Sequence, residues 1–108
     1  MTDVGKAKET AKLLRNDFLG TANWRREKAV EYPADRRDRE AAEILDRLAG
    51  TVDQVEPGLL EVYAELFEDC EGDEVERHGE LLDEVGFDWD PETATEFVRR
   101  FIAEMTGG

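Results

Sequence analysis

Apolar residues recur along this chain at intervals of three and four, and no stretch longer than four residues alternates apolar with polar in a β-branched context. That spacing sets the apolar side chains on one face of an α-helix, whereas a half-buried strand needs a period of two. The pattern predicts an all-α fold. A chain of 108 residues has material for one hydrophobic core and not for two. Residues 1–108 are therefore expected to form a single domain, a small bundle of five or six short antiparallel helices. No internal repeat, low-complexity tract or linker interrupts it.

Val4, Ala7, Ala11, Leu14 and Phe18 mark a first helix from Thr2 to Leu19. Gly20 then interrupts or kinks the chain, and Thr21 is placed to cap a second helix through Ala22, Trp24 and Val30. It stops near Tyr32, because Pro33 disfavours helical backbone in the residue before it. Trp24 and Tyr32 are expected in the core or at a hairpin corner. Asp35 caps a third helix with Ala41, Ile44, Leu45 and Leu48 on one stripe and Gly50 at its end. Thr51 to Glu56 connects, with Val52 and Val55 packed. Pro57 opens a fourth helix bearing Leu59, Leu60, Tyr63, Leu66 and Phe67. Asp73 caps a fifth with Val75, His78, Leu82 and Val85, stopped by Gly86. Asp90 and Pro91 begin the last, whose face carries Ala94, Phe97, Val98, Phe101, Ile102 and Met105.

Charge divides the chain. Its 28 acidic and 14 basic residues give a net charge of -14. Residues 1–50 hold eleven basic and ten acidic side chains, and residues 51–108 hold three and eighteen. So large a charge with a mean hydropathy of -0.64 raises disorder as a question, and the regular apolar spacing answers it in favour of a packed domain. The acidic stretch Glu68, Asp69, Glu71, Asp73, Glu74 and Glu76 is a candidate surface for a basic partner, or a solubilising coat. Tyr63, Phe87 and Trp89 are candidate apolar anchors beside it. The opposite composition, Trp24, Arg25, Arg26 and Lys28 followed by Arg36, Arg37 and Arg39, offers an alternative nucleic-acid surface. Acidic residues interleaved at helical pairing distance point instead to ion pairs within the chain.

Catalytic and metal chemistry finds little footing. There is no serine for a Ser-His-Asp arrangement and no glycine-rich phosphate loop. The single cysteine, Cys70, is flanked by acids that raise its pKa. His78 is the one histidine and is expected at a rim rather than in a zinc site, which needs four ligands. Asp88-Trp89-Asp90 has the opening rhythm of a calcium loop, yet Thr93 stands where glycine is required and Arg99 where a bidentate Glu is required. Phe87 and Trp89 are expected to fold back on the domain. No catalytic residue, metal or cofactor is predicted, and the chain is not expected to be an enzyme.

What remains is a small acidic interaction module, an adaptor, inhibitor or antitoxin-like partner, with mimicry of nucleic acid as a variant, that docks a protein with a basic surface. The net charge disfavours nucleic acid as a ligand. A homodimer joined through the last helix stays open. With no apolar run above four residues and no leader-like start, a cytoplasmic protein without a membrane span is expected.

Overall fold

The structure, a computed structural model, describes residues 4–68 and 73–107, and their side chains except at positions 4, 67, 68 and 73–75. Five α-helices follow one another: α1 (Val4–Glu31), α2 (Arg37–Gly50), α3 (Pro57–Glu68), α4 (Asp73–Glu84) and α5 (Ala94–Met105), with a 3-10 turn at Val52–Gln54. Among the described residues there is no strand, only an isolated bridge between Val85 and Trp89.

The two helices expected on either side of Gly20 are one helix of 28 residues, roughly 42 Å long at 1.5 Å per residue. A glycine inside a helix costs about 1 kcal/mol relative to alanine. That penalty is small beside the stripe it would break: Ala7, Leu14, Phe18, Ala22 and Arg25 are all buried on one side of α1. Tyr32-Pro33 ends α1 as expected, and the short turn folds α2 back along it, the most extensive helix contact in the molecule. Trp24 and Tyr32 are not core residues; they are 42% and 60% exposed. Only Tyr32 sits at the corner.

Asp35 acts one residue before the helix cap position. Its Oδ1 accepts from the Arg37 backbone N–H at 3.0 Å while its carboxylate also receives the Arg37 side chain. Those side-chain and backbone bonds hold the Asp35 carboxyl down at about 2. Val52 and Val55 are buried, as the connector's sequence implied.

The last helix starts at Ala94, later than Asp90 and Pro91 predicted. The reason lies in α2: Arg47 donates to the Asp90 carboxylate at 3.2 Å and to the Pro91 carbonyl at 3.1 Å, holding that segment against its own helix. The first N–H of α5 is satisfied from elsewhere in the chain, by the Thr51 hydroxyl at 2.8 Å, and the Glu96 carboxylate accepts from the Glu92 N–H. Thr51 thus ties the end of α2 to the start of α5. Between α4 and α5 the chain turns at Gly86 with φ of +84°. It passes so close to Ala41 of α2 that a Cβ on Gly86 would lie 2.7 Å from the Ala41 Cα.

The core closes around aromatic rings. Phe18 of α1 meets Phe97 of α5 edge to face at 5.0 Å, and His78 of α4 lies edge-on to both Phe97 and Phe101. Phe97, Val98 and Phe101 are fully buried. Ile102 and Met105, on the same face of the last helix, are partly buried against this core.

Candidate interaction surface

Most cations of the first half are engaged inside the molecule. Arg25, at the stripe position after Ala22, is buried and donates to Asp38 of α2 at 3.1 Å and to the Asp83 carbonyl of α4 at 2.8 Å. Its guanidinium lies between the Trp24 and Phe87 rings, 4.5 and 4.3 Å from their centroids. Arg25 is therefore not part of any nucleic-acid surface; it pins α1, α2 and the end of α4 together. Arg26 pairs with Asp46, Lys28 with Glu31 and Arg37 with Asp35. Arg15 and Arg47 reach across to Asp53 and Asp90 of the second half. Of the arginine-rich set, Arg36 and Arg39 make no ion pair among the described residues, and both are exposed.

The second half holds only three cations of its own. Arg77 gathers Glu80, Glu84 and Glu104, whose bonds raise its own pKa and hold Glu104 low. Arg100 covers the Trp89 ring at 4.5 Å. Glu56, Glu65, Glu76, Asp88 and Glu92 are exposed and meet no cation among the described residues. Of the acidic candidates, Asp69 and Glu71 lie outside the described residues, and so do the side chains of Glu68, Asp73 and Glu74; Glu76 is exposed on α4. Among the described residues no three His, Cys, Asp or Glu side chains converge as a metal site would require.

The three candidate anchors are not equally available. Tyr63 is a correction: it is 3% exposed and belongs to the core. Its hydroxyl shares a hydrogen bond with Nε2 of His78, which is likewise buried rather than at a rim. Burial pushes the His78 imidazole down to about 4 and the Tyr63 phenol well up. Phe87 and Trp89 are half-buried beneath arginines, Trp89 stacking on Phe97 with centroids 6.0 Å apart. Both fold back on the domain.

The exposed large apolar side chains are Leu13, Leu19, Trp24 and Val30 of α1, Tyr32 just beyond it, and Val62 of α3. Leu13 is 62% exposed and Val62 is 42% exposed. Leu13 overhangs a groove of about 380 Å³ between the two helices, lined also by Lys6, Glu9, Thr10, Leu14, Asp17, Tyr63 and Ala64. Partial burial there raises the Asp17 carboxyl above its usual range. The Thr10 hydroxyl donates to the Lys6 carbonyl at 2.8 Å. The sequence held one signal for this site: Leu13 is a large aliphatic residue set off the Ala7-Leu14-Phe18 stripe by the 100° between consecutive helical positions.

By fold the chain is a small all-α helical domain, and no helix among the described residues is long and apolar enough to cross a membrane. No family model, curated protein or solved structure matches it.

Proposed function

We propose that this chain is a protein-interaction module that binds a partner with a basic surface through the acidic side formed by its second half, acting by binding rather than by catalysis. The observation that carries this reading is the division of charge after internal pairing. Five of the seven arginines of the first half are spent on Asp38, Asp46, Asp35, Asp53 and Asp90, while Glu56, Glu65, Glu76, Asp88 and Glu92 stay exposed without a cation among the described residues. A field of one sign steers a partner of the other, and contact chemistry then holds it. A cytoplasmic setting belongs to the same proposal, since the single cysteine leaves no internal disulfide for an oxidising compartment to form. The nucleic-acid reading ranks second, because it is left with Arg36 and Arg39 as its unpaired cations.

The test is capture from native lysate on the immobilised chain, with and without nuclease and at low and high salt. A parallel column carries the variant Glu71→Gln, Asp73→Asn, Glu74→Gln, Glu76→Gln. A stoichiometric protein that survives nuclease, leaves in high salt and is lost from the variant supports the proposal. Recovery that nuclease abolishes, or that neither salt nor the variant affects, refutes it.

A further inference from the structure

We propose that the groove between α1 and α3 receives an amphipathic, positively charged helix of the partner, with Leu13 and the groove floor taking its apolar side chains. The proposal rests on the reading of this chain as a module for a basic partner and names where that partner anchors.

The groove's dimensions and its chemistry select the same occupant. Its walls run from Lys6 to Asp17 along α1, three helical turns or about 16 Å, which matches a segment presenting anchors at i, i+3 or i+4 and i+7. Leu13 supplies exposed apolar surface beside a floor of Leu14, Tyr63 and Ala64, whose side chains are themselves buried. The hydroxyls along the walls are already committed, Thr10 to the Lys6 carbonyl and Tyr63 to His78. A polar small molecule needs a few convergent donors and acceptors to fix it, and these two hydroxyls point their bonding elsewhere. Charge decides the sign of the occupant. Glu9 and Asp17 stand on the α1 wall, opposed by Lys6 as the one cation of the lining. On α3, Glu61 precedes Ala64 by one turn. An apolar trough with Glu9 and Asp17 on its α1 wall suits a helix with apolar residues on one face and lysines or arginines along its flanks.

The experiment uses a synthetic 14-residue helix with leucine at i, i+3, i+4 and i+7 and lysine at the flanking positions, titrated into the whole protein at physiological ionic strength. A control peptide has each leucine replaced by glutamine, and a second has each lysine replaced by glutamate. The leucine–lysine peptide is expected to bind, to shift the backbone amide signals of residues 9–17 and 61–64, and to weaken by about tenfold or more on Leu13→Ser, an exposed position whose change spares the core. Val30→Ser, at an exposed position near the other end of α1, is expected to leave affinity within about twofold. Equal binding of the leucine and glutamine peptides, or indifference to Leu13→Ser, overturns the groove while leaving the basic-partner reading intact. Equal binding of the glutamate peptide overturns the charge selection, and failure of every peptide to bind overturns both.

Discussion

The buried imidazole of His78 ties the stability of the fold to pH through a single group. His78 lies among Phe97, Phe101 and Tyr63, and burial lowers its pKa from 6.5 to about 4. In the unfolded chain it binds a proton as pH falls through about 6.5, while in the folded chain it stays neutral. The unfolded state therefore takes up more protons, and the stability held above pH 6.5 is lost as pH falls toward 4. Linkage gives a loss of about 2 kcal/mol between about pH 8 and about pH 5, approaching about 3 kcal/mol below pH 4. Protonating unpaired carboxylates relieves repulsion in a chain of net charge -14 and works the other way, while protonating Asp35 and Glu104, held low by Arg37 and Arg77, adds to the loss. A non-titrating control isolates the histidine: His78→Gln keeps a polar group near the Tyr63 hydroxyl, and the difference between the two urea-unfolding curves against pH removes everything else. Urea is required, since guanidinium would screen the charges. The chain holds one histidine, so its imidazole proton signal can also be followed without ambiguity. Parallel stability curves for the two proteins, or an imidazole midpoint near 6.5, would refute the reasoning.

Other expectations follow from the packing. Arg25→Ala leaves the buried Asp38 carboxylate without its partner and should cost about 3–5 kcal/mol by urea unfolding, whereas the double variant Arg25→Met, Asp38→Leu should recover most of that loss. Two glycines should respond with opposite signs. Gly20→Ala meets nothing within 4 Å and should stabilise by about 0.5–1 kcal/mol. Gly86→Ala demands a left-handed backbone and a clash with Ala41, and should destabilise by more than about 2 kcal/mol. Phe101→Ala, at a fully buried site, should cost about 3–5 kcal/mol without changing the state of assembly, measured by unfolding and sedimentation together.

The helices were legible in the sequence because their signals are local. Pro57 opens α3, Gly86 stops the chain after α4, and Pro33 ends α1, each through its own backbone constraint. What was not legible depends on partners remote in sequence. Gly20 reads as a break until the stripe from Phe18 to Arg25 is seen packed on α2. Asp90 reads as a cap until Arg47 is seen holding Asp90 and Pro91, and the group that caps Ala94 belongs to Thr51, 43 residues earlier. Arg25 carried a usable signal, since a residue three after Ala22 on a buried stripe must be buried too. Its charge suggested surface, and only the coincidence of Asp38, the Asp83 carbonyl and two aromatic rings makes its burial affordable. The α1–α3 groove was invisible because it is a property of two helices at once, and its floor residue Tyr63 was assigned to the outside.

Steering and anchoring assign different kinetic roles to the two halves of the proposed surface. Glu65, Glu76 and Glu92 are exposed and lie outside the groove lining, so their expected part is steering a basic helix during encounter, weakened by salt over about 8 Å. Leu13 acts only after contact, by covering apolar surface that water would otherwise wet. Neutralising the three glutamates should therefore slow association several-fold and flatten its salt dependence, while Leu13→Ser should speed dissociation about tenfold and leave association within about twofold. Stopped-flow fluorescence with the labelled leucine–lysine peptide reads both rates. If Leu13→Ser slows association and the glutamate variant speeds dissociation, the charge and not the groove holds the partner, and the division of labour drawn here is wrong.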